Sequence, residues 1–164
     1  MNPFNIFRLK SMHKISRWLY QKKFYKLSRL FDALNRQINK CAVYGETEIG
    51  EGTEFAYGGI AVVIHKNAII GKNCMIGQCS TIGRVHGKGR EIPIIEDNVY
   101  IGAGAKVLGG IRIGNNSIIA PNAVITKDVQ PFSVIAGVPG KLLTTINSNN
   151  FNRFIHYGIE RFDD

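Results

Sequence analysis

The sequence predicts a mainly β fold: a parallel β-solenoid wound from six-residue units, with a short basic α-helical segment at its start and a short helix at its end. Three observations lead there. A branched aliphatic returns every six residues at Ile64, Ile70, Ile76 and Ile82, and after a break at Ile95, Ile101, Val107, Ile113, Ile119 and Ile125, with an earlier, weaker register at Val43 and Ile49. Four residues after the anchor stands a small or β-branched residue, at Thr47, Thr53, Ala68, Cys74, Ser80, Val99, Ala105, Ile111, Ser117 and Ala123. Glycine follows the anchor directly at Gly50, Gly71, Gly77, Gly83, Gly102 and Gly114. A period of six fits neither a helix nor a simple two-residue alternation. It fits a solenoid in which each hexamer is one short strand and one turn. The anchor then fills the interior, the small residue packs beside it, and Gly or Asn permits the turn's backbone angles. Three hexamers make one coil of a triangular prism, with coils stacked about 4.8 Å apart as parallel strands.

Between Ile82 and Ile95 the period is interrupted by a polar, glycine-rich stretch, 84–91, which is expected to protrude as a loop from the rigid wall and so to carry function. The domain boundaries that follow are 1–41 for a basic amphipathic helical segment, 42–146 for the prism and 147–164 for a tail holding a linker and a short helix.

Composition excludes several classes. The chain has 164 residues, 45% of them hydrophobic with only 5 Pro, enough to bury a core. Its longest apolar stretch, around Ile60–Ile64, is far short of a membrane span, and no apolar region suited to a signal peptide follows the basic start. Three cysteines, Cys41, Cys74 and Cys79, lack metal-ligand spacing and fit free thiols in a reducing cytosol. A cytoplasmic protein is expected.

The net charge of +9 is local: residues 1–40 hold ten Lys/Arg against one acid, Asp32, and the remainder is neutral. Residues 12–40 contain no Pro or Gly and place Ile15, Trp18, Leu19, Leu27, Leu30, Phe31, Leu34 and Ile38 near helical spacing, so one helix is predicted. Its apolar stripe is expected to pack against the prism base or another subunit. Two other readings stand beside that one: peripheral contact with an anionic membrane at its inner face, and attraction of an acidic acceptor. No nucleic-acid-binding motif accompanies the charge, so nucleic acid is not expected as a partner.

The repeat resembles that of the hexapeptide-repeat acyltransferases, whose coils form a left-handed parallel β-helix. Ile101-Gly102-Ala103-Gly104-Ala105-Lys106-Val107-Leu108-Gly109 and Ala136-Gly137-Val138-Pro139-Gly140-Lys141 are similar to segments of the serine-acetyltransferase-like branch. The resemblance implies a homotrimer with acetyl-CoA lying between neighbouring subunits. It implies CoA contacts at Ala103 and, one coil on, at Pro121, with Lys141 near the phosphates; Lys127 is a further phosphate candidate. Pro121 has no N–H to offer. In that branch a His base, its orienting Asp and a second loop His correspond to Tyr57, Ala42 and Ile92 here. These departures point to sugar O-acetyltransferases of surface (capsular and exo-) polysaccharide biosynthesis, with a sugar or polysaccharide-precursor acceptor. Serine acetylation is the alternative, and an inactive prism held at a membrane by its basic helix is the alternative from another class.

Acetyl transfer from a thioester to a hydroxyl requires a base, and neutral imidazole suits pH 7. Of four histidines, His13 and His156 lie outside the repeat. His65 follows an anchor and faces outward, and His86 lies in the loop, so both are catalytic candidates, with Tyr57 and Arg90 as acceptor contacts. A zinc site on such a prism needs three converging histidines, so no metal is expected.

Overall fold

The chain forms the parallel β-helix that the six-residue period predicts, consistent with the left-handed form that the resemblance implies. The computed structural model describes residues 8–85 and 92–158. Among these, strands β1 (Glu48–Ile49), β4 (Ile69–Ile70), β7 (Ile94–Ile95) and β10 (Arg112–Ile113) stack into one face of the prism. A second face holds β3 (Val63–Ile64), β6 (Thr81–Gly83), β9 (Lys106–Leu108) and β12 (Val124–Ile125). The third holds β2 (Glu54–Phe55), β5 (Met75–Ile76), β8 (Tyr100–Ile101), β11 (Ile118–Ile119), β13 (Ser133–Ala136) and, antiparallel at its end, β14 (Lys141–Thr145).

In-register pairing brings the anchors into three columns, one per face. Ile64, Ile82, Val107 and Ile125 form one, Ile49, Ile70, Ile95 and Ile113 the next, and Phe55, Ile76, Ile101, Ile119 and Ile135 the third. All ten small or β-branched positions are buried beside them. Burying one such aliphatic contributes roughly 1.5–3 kcal/mol, and repetition along three columns makes the prism the stable part of the molecule.

The reason for glycine after the anchor differs from the one expected. A Cβ on Gly77 would lie 2.4 Å from the Ala103 nitrogen, and one on Gly102 would lie 2.5 Å from the Pro121 nitrogen. These glycines let one coil lie on the next. The left-handed turns fall elsewhere, at Asn73, Asn98, Asn116 and Asn122, with φ of 53–58°.

The predicted single helix is two: α1 (Leu9–Gln21) and α2 (Tyr25–Asn39), folded into a hairpin at Lys23, φ 64°. Neither Pro nor Gly marks the break, because packing rather than propensity makes it. Tyr20 and Tyr25 meet edge to face at 5.3 Å across the turn. The Ser16 hydroxyl donates to the Asp32 carboxylate at 2.6 Å, and the Gly45 N–H on the first coil donates to the same oxygen at 3.0 Å. Ser28, Asp32 and Asn35 are therefore the inward residues of α2, while Leu27, Leu30, Leu34 and Ile38 face outward. The α2 part of the stripe therefore does not pack on the prism base, as had been expected, whereas Leu19 of α1 is buried.

The tail also differs. Residues 151–157 form two 3₁₀ turns, Phe151–Arg153 and Ile155–Tyr157, rather than an α-helix. Phe151, Phe154 and Tyr157 recur every three residues, the spacing of a 3₁₀ turn. They cover the outer side of the third face beside Tyr100, Ile118, Val134 and Ile146.

Candidate functional site

Two insertions interrupt the spacing of the coils, and each falls at an edge. Val107 and Ile125, paired neighbours on the β3 face, stand 18 positions apart, whereas Ile82 and Val107 stand 25 apart. The seven extra residues fall within 84–91. Phe55 and Ile76, also paired, stand 21 apart. The three extra residues form a tight turn at Tyr57, Gly58 and Gly59, with φ of 50°, 71° and 78°. A tyrosine in the left-handed region is strained, by about 1 kcal/mol or more. Its ring is 79% exposed, so nothing in the core holds it there.

The first edge runs where the third face meets the β3 face. Tyr57, Ala103 and Pro121 each lie two residues beyond an anchor of the same column, Phe55, Ile101 and Ile119, so they line one edge of the prism. Ala103 O accepts the Asn122 N–H at 2.9 Å, and its own N–H donates to none of the described backbone carbonyls. It is thus suited to receive a ligand carbonyl. At the top of the prism Lys127 and Lys141 line one cleft of about 520 Å³, walled by Ile125, Ile135, Pro139 and Leu142. Asp128 also lines this cleft; its two lysines and apolar wall suit a polyphosphate joined to an extended organic chain.

The second edge runs from the β3 face to the β1 face, across the width of the β3 strands from the first. His65 sits there, half-buried, directly after β3, with its backbone N–H on Ile82 O at 2.8 Å. Its ring Nδ1 accepts the Asn67 N–H at 3.2 Å. The neutral ring therefore carries its proton on Nε2 and presents a donor outward. Burial, then the charges of Arg84 and Lys66, lower its pKa below the ordinary 6.5, so the ring is neutral at pH 7. Arg84 stands one coil above Lys66, by the pairing of β3 with β6. Sequence reasoning missed it as a site residue. The signal available was its place, directly after the coil that follows His65 and at the start of the insertion.

Of the sequence-predicted residues, Tyr57, Ala103 and Pro121 share one edge, His65 lies on the other, and Lys127 and Lys141 share the upper cleft. His86 and Arg90 lie outside the described residues. Cys74 is core, and burial pushes its thiol up to about 11; Cys79 is exposed. Among the described residues no group of three His, Cys, Asp or Glu side chains is placed to hold a metal ion.

Comparison with known proteins fits this geometry. The bacterial transferase hexapeptide family (six repeats) matches residues 92–127, and the hexapeptide repeat of succinyl-transferase matches residues 67–84. A serine acetyltransferase of Synechococcus elongatus is 36% identical over 133 residues, 80% of this chain and 54% of its own length. One from Bacillus subtilis is 36% identical over 132 residues, 80% of this chain and 60% of its length. Among solved structures, Brucella abortus serine acetyltransferase in complex with coenzyme A superposes with a TM-score of 0.79 at 27% identity, covering 83% of this chain and 54% of that one. Neisseria gonorrhoeae serine acetyltransferase in complex with serine gives 0.77 at 29%, covering 83% and 55%. The chain spans just over half the length of the relatives it matches.

Proposed function

We propose that this chain is a hexapeptide-repeat acyltransferase that transfers an acetyl group from acetyl-CoA to the hydroxyl of L-serine. The observation that carries the reading is the combination of the Ala103–Pro121 edge and the two-lysine cleft with a chain that is 36% identical to serine acetyltransferases over most of its length. The sugar acceptor and polysaccharide biosynthesis expected from the departures at Tyr57, Ala42 and Ile92 are withdrawn. The relatives at 30–38% identity are serine acetyltransferases, and so are the solved structures reported above.

In this reading the CoA phosphates lie against Lys127 and Lys141, and the Ala103 N–H binds the extended arm. The serine hydroxyl attacks the thioester carbonyl, the C–S bond breaks, and the hydroxyl proton ends on the departing thiolate. His65 is the proton acceptor. Its Nδ1 must first leave Asn67, which at this half-exposed position costs about 1 kcal/mol. Its lowered pKa keeps it unprotonated at pH 7. Arg84 offers a cation to the serine carboxylate. Tyr57, on the far edge, meets this constellation only across a boundary between two copies, which a three-fold assembly supplies.

Thiol release from acetyl-CoA, measured with and without L-serine, tests the proposal. Serine-dependent release of CoA and formation of O-acetylserine are expected in the wild type. His65→Gln, which keeps a hydrogen-bonding side chain but no base, should lose about 10²–10⁴-fold in kcat. No serine-dependent release from folded protein that binds CoA would overturn the acceptor. Full activity in His65→Gln would overturn the base.

A further inference from the structure

Helix α1 packs Leu9, Met12 and Leu19 inward, whereas α2 turns polar residues inward and leaves an apolar stripe outside. Leu27, Leu30, Leu34 and Ile38 are 42–53% exposed and recur at intervals of three and four, so they form one stripe along α2. The helix is 15 residues long, about 22 Å. On the same helix Lys26, Arg29 and Arg36 are exposed, and Lys22 and Lys23 are exposed at its entrance. The hairpin's one acid, Asp32, is turned inward against Ser16 and Gly45. Its exposed formal charges are therefore all positive.

We propose that this face docks on an anionic lipid bilayer, with α2 lying in the plane of the interface. Both halves of the surface then have a counterpart: the leucine stripe enters the boundary between headgroups and acyl chains, and the cations lie among the phosphates. Long Lys and Arg side chains reach past the stripe to do so. A nucleic acid would satisfy the charge but not the stripe. A second hairpin would cover the stripe but set one dense group of cations against another. No described helix is long and apolar enough to cross a membrane, so the contact is peripheral. This inference is independent of the serine reading, since none of these side chains belongs to either prism edge.

Sedimentation of the full chain with phosphatidylcholine vesicles, with and without phosphatidylglycerol, tests it. Binding is expected only with phosphatidylglycerol, and it should weaken as salt is raised. Leu30→Ser with Leu34→Ser should reduce partitioning about tenfold or more. Lys26→Glu with Arg29→Glu should reduce it about a hundredfold. Melting temperature, oligomeric mass and acetyl-CoA binding should stay as in the wild type. Any of four results would overturn the proposal: no vesicle binding; binding unaffected by the leucine change, which leaves charge alone; dissociation of the oligomer by that change, which makes another copy the occupant; or retention of duplex DNA in place of vesicles.

Discussion

The prism and helix α2 bury opposite kinds of side chain. In the prism the inward positions are aliphatic anchors and small residues, repeated in three columns. In α2 the inward positions are Ser28, Asp32 and Asn35, held by hydrogen bonds with Ser16, Gly45 and Leu9, while its leucines face out. The prism is specified many times over, so any one coil's position follows from its neighbours'. Helix α2 depends on a few polar contacts that each occur once. Redundancy makes the first a rigid support for two edges of functional groups. The second leaves its apolar surface free for something outside the chain.

The largest effect should come from breaking a column. Ile101→Ala opens a cavity at the middle of the prism and should lower stability by about 2–5 kcal/mol, read from urea denaturation. A loss below about 1 kcal/mol would mean that neighbouring coils repack freely.

Next comes acid sensitivity in the hairpin. His13 on α1 is buried against Thr47 O at 3.2 Å, and burial lowers its pKa from 6.5 to about 4. The unfolded chain takes up a proton at this residue below pH 6.5, while the folded one resists until about pH 4. The stability His13 contributes is thus complete above pH 6.5 and falls as pH drops toward 4, by up to roughly 3 kcal/mol. Burial pushes the Asp32 carboxyl up, which acts in the opposite sense. The difference between wild type and His13→Gln across that window therefore isolates the histidine. Equal pH slopes for the two would remove it as the cause.

Asp32→Ala should follow, at about 1–3 kcal/mol, because it leaves the Ser16 hydroxyl and the Gly45 N–H without their shared acceptor. Leu34→Ser sharpens the contrast from the other side. As an outward residue it should change the melting stability of the isolated protein by no more than about 0.5 kcal/mol. A loss as large as that at Ile101 would place Leu34 in a core.

The same contrast governs how much of the molecule was legible in the sequence. The anchor columns and the ten small positions could be read because every coil restates them, and a six-residue period suits neither a helix nor a plain alternating strand. The break at Lys23 could not, since a left-handed lysine has no local signature and the turn follows from Ser16, Ser28 and Asp32 meeting over Gly45. The stripe direction was misread for the same reason: helical spacing identifies an apolar face but not what covers it. The three-residue insertion at Tyr57 was hidden because Phe55 replaces an aliphatic in its column, so the series faded just where the extra residues enter. Residues 151–157 were read as helix although their aromatic spacing of three favours a tighter turn. At the site, Ala103, Pro121 and Lys141 followed from resemblance. Arg84 required the coils to be stacked before its place above Lys66 and near His65 became apparent.

In the proposed acetyl transfer, two edges that one chain holds apart are brought together by two copies, and mixing inactive variants tests that requirement. Pro121→Trp fills the first edge at an exposed position, and His65→Gln disables the second. The two chains are unfolded together, reassembled in equal amounts, and assayed for serine-dependent thiol release. If each site draws one edge from either copy, random assortment restores about a quarter of the wild-type sites. No activity above that of the separate variants, from mixed oligomers that still bind acetyl-CoA, would mean that the site lies within one chain.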